Sequence, residues 1–309
     1  MRLSARAAAC LIASMLMPLP AAAGINEIMK AVKQSEFSFA KTTSDVPFFP
    51  VGWLQDSHYS TATFRDDTGQ RPAAEVTENT LSVGAVLPVY VASRDMFVVG
   101  GDIGSDRIDV KSGAYQDQRI LRVTPIAAWL HQFGKLETVG AFVAPVFSQE
   151  RIAGQAWHTS AYGGIVGMHW YSDRFQLLYG GVAECSSGSS SLYPYLGVQW
   201  LPTRKLSVAL VAPWPAISYA PNPRWMLQLA IAPGGSSWVQ RGANYESVQT
   251  LGSWNLSAYA AHRLAGPLWL AAGAGVAGFR GLTVNAGERT SRFESDRIAV
   301  FTLALQIRP

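Results

Sequence analysis

The sequence predicts an all-β protein: a transmembrane, antiparallel, up-and-down β-barrel of roughly 12–14 strands. Three observations predict it. Apolar residues make up 49% of the 309 residues and charged residues only 15%, against about 25% charged in an average soluble domain. Beyond the start of the chain, no stretch reaches the ~20 uninterrupted apolar residues that a spanning helix requires. From about Ser57 onward, apolar and polar residues instead alternate with period two, in runs longer than ordinary soluble strands.

The first residues are of another kind. Arg2 and Arg6 give a basic start, AAACLIASMLMPL an apolar middle, and PAAAG a small-x-small cleavage site at Ala21 and Ala23, ahead of Gly24. Residues 1–23 are therefore expected to be a cleaved secretory signal peptide. A membrane anchor fits less well, because the segment is short and no basic stop follows it. A lipoprotein attachment at Cys10 is rejected, because almost no apolar segment precedes it. Cleavage removes Arg2, Arg6 and Cys10 and no acid, taking the net charge from +4 to +2. That is too weak and too dispersed for a nucleic-acid partner. Cys185 is then the sole cysteine, so no internal disulfide can form. It sits beside SSGSSS, a loop composition.

Residues 24–56 read as an N-terminal lead. Ile25, Ile28, Met29 and Val32 fall at helical spacing. They fit a short amphipathic helix inside the lumen or at the periplasmic mouth, or else a frayed lead.

Residues 57–309 are assigned to the barrel. In LYPYLGVQWLP, Leu192, Pro194, Leu196, Val198 and Trp200 point one way, and Tyr193, Tyr195, Gly197 and Gln199 the other. After TRK, Leu206, Val208, Leu210, Ala212 and Trp214 continue an apolar face. Trp254, Leu256, Ala258 and Ala260 face outward, opposite Ser253, Asn255, Ser257 and Tyr259. Ala299, Phe301, Leu303, Leu305 and Ile307 oppose Thr302, Ala304, Gln306 and Arg308. The lumen-facing set is thus expected to include Tyr193, Tyr195, Gln199, Ser253, Asn255, Tyr259 and Gln306.

Alternation by itself also fits a soluble sandwich. Strand length and connections favour the membrane. Gln249–Arg263 and Asp296–Arg308 suit the ~9–11 residues needed to cross a bilayer at a tilt. Tight connections at SRD, FGK, SDR, TRK and LAGP alternate with the longer polar stretches RDDTGQRPAAEVTEN, GSDRIDVKSGAYQDQ, SQERIAGQ and NAGERTSRFESD. Short periplasmic turns and long external loops are the outer-membrane layout. Trp129, Trp170, Tyr171, Trp200 and Trp225 lie near strand ends, as interfacial girdles require. The prolines Pro88, Pro125, Pro145, Pro194 and Pro213 lack ladder donors and are expected at bulges or strand ends.

The stretches YPYLGVQW-P, L-L-PWPAISY, RW-L-L and GG--W, with LSVGAVLPVYV and FVVGGDIG upstream, carry a resemblance. The chain resembles an uncharacterised family of Gram-negative outer-membrane barrel proteins, a domain of unknown function. The resemblance implies a secreted barrel in the outer membrane and implies no activity. The chain departs from many barrels at its end, LALQIRP, where an aromatic residue is usually read by the assembly machinery.

Enzymatic tools are sparse. His58 and Ser60, and His158 and Ser160, form H-x-S triplets whose members share a strand face, so each histidine could serve as base for its serine. This loosely resembles lipid-A deacylases, but a three-residue match arises easily by chance. His131, His169 and His262 show no metal-ligand spacing. Asp66-Asp67, Asp102/Asp106 and Glu294/Asp296 are expected in solvated loops or rims. GAGVAG at Gly273–Gly278 lacks the strand-then-helix setting of a nucleotide loop. The reading that results is a non-enzymatic outer-membrane barrel, without cofactor or metal, acting as a channel or binding barrel for small solutes. Its partners are outer-membrane lipid, the barrel-assembly machinery and an unidentified solute. A structural barrel with a filled lumen and a surface lipid hydrolase are the alternatives.

Overall fold

The structure is a computed structural model that describes residues 25–41, 44–47, 49–66, 72–113, 116–151, 156–186, 189–241, 246–287 and 289–308. The assigned signal peptide lies outside these residues, as does Asp67. A helix, α1 (Ile25–Gln34), and a 3-10 turn (Ser38–Lys41) come first. The wall then runs β1 (Gly52–Asp66), β2 (Pro72–Val91), β3 (Asp95–Gly113), β4 (Gln118–Phe133), β5 (Glu137–Glu150), β6 (His158–Ser172) and β7 (Phe175–Ser186). It continues through β8 (Ser189–Thr203), β9 (Leu206–Ala212), β10 (Ala216–Asn222), β11 (Trp225–Arg241), β12 (Glu246–Ala265) and β13 (Leu268–Ala286), and ends with β14 (Arg289–Ser295) and β15 (Ile298–Ile307).

From β1 to β14 neighbours in the chain pair antiparallel, β15 pairs with β13, and β1 closes the sheet by pairing with β14 and β15. β14 and β15 are two halves of one wall strand, so the closed barrel has 14 strands. Closure removes every sheet edge except where a strand stops short.

The period-two pattern determines which way each residue faces. Leu54, Leu305 and Leu270 stand side by side in register on the exposed face. Their alternates Ala304 and Ala271 are buried. The outer wall is predominantly apolar around its girth, from Leu81 and Val99 through Leu196, Leu210 and Leu229 to Leu256 and Leu303, and is interrupted by Asp56, exposed between Leu81 and Leu303. An apolar surface of that extent far exceeds the few hundred Å² that a soluble monomer exposes. Aromatic side chains gather at the tight-turn ends of the strands: Tyr90 with Phe97, Trp129 with His131 and Phe133, Tyr171 with Phe175, and Trp225 with His262.

Several expectations change. The five tight turns fall where expected, and a sixth lies between Asn222 and Trp225. The polar stretches taken as long external loops are mostly strand: Gly104–Gly113 belongs to β3, and most of NAGERTSRFESD to β13 and β14. Polarity misleads there because a barrel wall that stands clear of lipid needs no apolar face. Trp170 is turned inward and buried rather than set in the girdle, and Trp214 sits in the turn after β9 rather than on its apolar face. Asp102 and Asp106 lie on the inner side of β3, not in a loop.

The prolines find local solutions. Pro88 adjoins a register shift between β2 and β3. Pro125 and Pro145 fall opposite one another where the β4–β5 ladder is interrupted between Val123 and Ala127. Pro213 lies in the turn that follows β9.

Candidate functional site: the barrel interior

The lead crosses the tight-turn end of the barrel. Val32 and Phe37 are buried against Met96, with Phe39, Val98 and Leu130 around them. The Glu36 N–H donates to the Ser93 carbonyl at 2.7 Å, and Arg94 pairs with the Glu36 carboxylate at 2.7 Å. The Ser38 N–H donates to Gln132 Oε1 at 3.0 Å, and Ser38 Oγ to the Lys135 carbonyl at 2.8 Å. Farther along, the Asp45 N–H donates to the Arg204 carbonyl at 2.7 Å, and Arg204 pairs with its carboxylate at 3.1 Å. Val46 packs on Met226, Ala261, Trp269, Ala271 and Ala304. Three of the tight turns thus hold one strap across the mouth.

The opposite end is filled from the wall. Tyr59, Phe64, Val76, Ile108, Ile120, Trp238, Leu251 and Val300 form an apolar cluster inside the barrel. Two charged groups thread it. Arg280 pairs with Glu78, both almost wholly buried, and its guanidinium lies 5.0 Å from the Tyr59 ring centre and 5.9 Å from that of Phe64. Arg122 reaches Asp106 at 3.3 Å and Asp102 at 3.9 Å. Ser236 Oγ donates to Asp106 as well. β11 bends inward to make that bond. The bend is at Gly235, whose φ of +141° favours glycine and whose absent Cβ would fall 2.0 Å from the Leu251 carbonyl oxygen.

A polar band lies between the two ends. Gln199 accepts from Gln176 and donates to Ser207 Oγ at 3.1 Å. Ser253 donates to Asn255 at 3.1 Å, and Asn255 donates to the Tyr59 hydroxyl at 2.9 Å. The Tyr259 ring stands over Gly273, where a Cβ would fall 2.3 Å from the ring. Gln306 accepts from Arg308 Nε at 2.9 Å. Tyr193 donates to Glu184 Oε2 at 3.3 Å, and the Tyr195 ring lies 6.1 Å from Trp214. All seven side chains sit on the inner side of the register, but they do not converge on one spot.

The His–Ser pairs have other engagements. His58 is on the outer face, hydrogen-bonded to Asn79 at 2.7 Å, and Ser60 Oγ accepts from the Ala299 N–H at 3.1 Å. His158 and Ser160 point inward and are buried. Among the described residues, no group of three or more His, Cys, Asp and Glu side chains gathers where a metal could sit.

The inward charges Glu78, Arg122 and Arg280 are not singled out by the sequence reading, and Asp102 and Asp106 are expected there in loops or rims rather than inside; Glu78, Asp106 and Arg280 are buried, Asp102 and Arg122 partly so. A signal was present. Glu78, Asp106 and Arg122 each stand two residues from a buried apolar partner, Val76, Ile108 and Ile120, and so share its inward face.

No protein-family model matches the chain, and no curated protein matches it. Solved structures do. An outer membrane channel of the COG4313 group from Pseudomonas putida F1 is 10% identical, with 86% of this chain and 98% of that chain covered, at a TM-score of 0.48. The Pseudomonas putida toluene transporter TodX is 12% identical, with 88% and 97% covered and a TM-score of 0.37. A KdgM porin in complex with oligogalacturonate is 9% identical, with 81% and 97% covered and a TM-score of 0.30. These neighbours are outer-membrane β-barrels of the channel and porin kind.

Proposed function

We propose that the protein is an outer-membrane barrel of an uncharacterised family that passes or binds small solutes, and that it is not an enzyme. The observation that carries this reading is the polar band inside an otherwise apolar-walled closed barrel. Gln55, Ser57, Gln199, Gln228, Ser253, Asn255, Tyr259 and Thr302 place amide and hydroxyl groups on the inner face of the wall, where a merely structural barrel would gain more from apolar packing. The strap at the tight-turn end acts as a plug that limits flow along the axis. Outer-membrane lipid meets the apolar wall, and the assembly machinery inserts the chain.

A second reading, a structural barrel with a filled lumen, draws on the apolar cluster around Trp238. Two measurements separate them: liposome swelling with sugars of increasing size, and conductance in a planar bilayer. These are made on the refolded chain from Gly24 and on a chain lacking residues 24–50. Channel function predicts measurable conductance that rises when the strap is removed. A barrel silent in both forms has no axial path.

A further inference from the structure

The wall has a notch. β9 and β10 are half the length of their neighbours. β8 pairs with β9 only from Leu196 to Thr203, and β11 pairs with β10 only from Trp225 to Ala230. Beyond those points, Ser189–Tyr195 and Ala232–Arg241 have a strand partner on one side only, β7 and β12 respectively. At the base of the notch, β8 and β11 are three strand spacings apart, about 14 Å. The turn Pro213-Trp214-Pro215 forms its floor.

The backbone of both lips is adapted to having no partner. The Ile231 N–H bonds the Pro215 carbonyl at 2.9 Å, so odd-numbered β11 residues turn their N–H toward the missing strand. The next such residue is Pro233, which has none. On β8 the Leu201 N–H bonds the Arg174 carbonyl at 2.8 Å on the β7 side, so even-numbered residues face the notch, and among them is Pro194. Farther along β11, the edge carbonyls of Gly235 and Ser237 accept from Arg122 Nη1, at 3.5 Å, and from Ser148 Oγ. β11 therefore leans across the interior toward β4 and β5 and away from β8, and the notch stays open.

Its lining has a definite chemistry. The outer lip carries Leu192, Leu196 and Leu210, all exposed, and Trp214 of the floor lies 6.1 Å from the inward Tyr195 ring. Inside, Tyr162 and Tyr193 each keep 38% of their surface exposed, unlike most inner-face residues. Both hydroxyls donate to Glu184, at 3.1 and 3.3 Å.

We propose that this notch is a side portal, through which small solutes with an apolar body and one hydrogen-bond donor pass between the membrane and the barrel interior. The apolar lip admits the body without desolvating a charge. The tyrosine rings give it flat faces to stack on. The Glu184 carboxylate accepts the donor in place of a phenol. The inference rests on the channel reading but replaces its axial path, which the strap and the Trp238 cluster obstruct.

The probe is 1-naphthol, and the measurement is equilibrium dialysis against the refolded protein in detergent, corrected with empty micelles. The background is Cys185→Ser, since Cys185 is the exposed thiol. Tyr193→Cys is then modified with a bulky maleimide, with Leu303→Cys on the far wall as control. The wild-type background should bind saturably, the modified Tyr193→Cys at least tenfold more weakly, and the modified Leu303→Cys unchanged. Heat-dependent gel migration verifies the fold of each variant, and Leu192→Cys on the outer lip replaces Tyr193→Cys if that variant does not close. Unchanged binding after the portal is blocked, equal loss from the Leu303 control, or no saturable binding at all would overturn the portal. Binding needs no flux, so a protein that binds naphthol but conducts nothing sinks the axial channel and not the portal.

Discussion

Ser236 on β11 donates a hydrogen bond to Asp106 on β3, across the barrel interior and 130 residues away in the chain. Because Asp106 also holds Arg122, one carboxylate fastens the inward-leaning β11 to two facing strands. Asp106→Ala leaves Arg122 with the longer Asp102 contact and its bonds to Ser236 Oγ and the Gly235 carbonyl, and losing the fully buried carboxylate should cost about 3 kcal/mol. Ser236→Ala should cost about 1 kcal/mol. The temperature at which the gel-shifted folded form is lost measures both. Equal losses would show that the Arg122 pairing contributes nothing.

The Glu78–Arg280 pair makes a sharper case, since both groups are buried among Tyr59, Phe64 and the apolar cluster. Glu78→Ala should destabilise the folded barrel by about 3–5 kcal/mol, because it strands a guanidinium. Replacing both, Glu78→Leu with Arg280→Met, should recover most of that loss. A double variant as weak as Glu78→Ala would mean that the cavity, not the charge, is the damage.

The two faces of the wall should respond differently to charge. Leu305 is exposed beside Leu54 and Leu270 on the outer surface. Because Leu305 lies only a few residues from the tight turn, near the Trp225–His262 pair, the stronger test is Leu229→Arg, exposed farther along the wall, which should impair assembly at about 2–4 kcal/mol. Gln228→Arg, on the inner polar band, should be much milder. Outer-membrane yield and heat-modifiable migration are the readouts, and equal damage would contradict the orientation of the wall.

Cys185 tests the direction of the strands. It is exposed near the end of β7 that lies away from the tight turn at Asp173 and Arg174. With tight turns in the periplasm, a membrane-impermeant maleimide added to intact cells should label it, and Cys185→Ser should abolish the label. Reaction only after the outer membrane is opened would invert the topology, and a cysteine placed at Ser172 should then label from outside.

The sequence by itself determined the class and the orientation of the wall. Period two is a local property: Leu303 and Leu305 must share a side whatever the rest of the chain does, and Thr302 and Gln306 the other. Turns such as TRK and LAGP announce themselves by composition, and so the strand count could be bracketed. The tertiary structure alone decided what occupies the interior. No local rule says that Glu78 meets Arg280, 202 residues on, or that Ser236 reaches Asp106. Such pairs depend on how strands far apart in sequence are brought together when the sheet closes. The Gly234-Gly235 pair was visible but its bend was not, because the bend depends on what lies across the lumen to receive it. The notch was equally hidden. That β9 and β10 stop early can be read from PWP, but whether neighbours close over the gap depends on Arg122 and Ser148 drawing β11 away from β8.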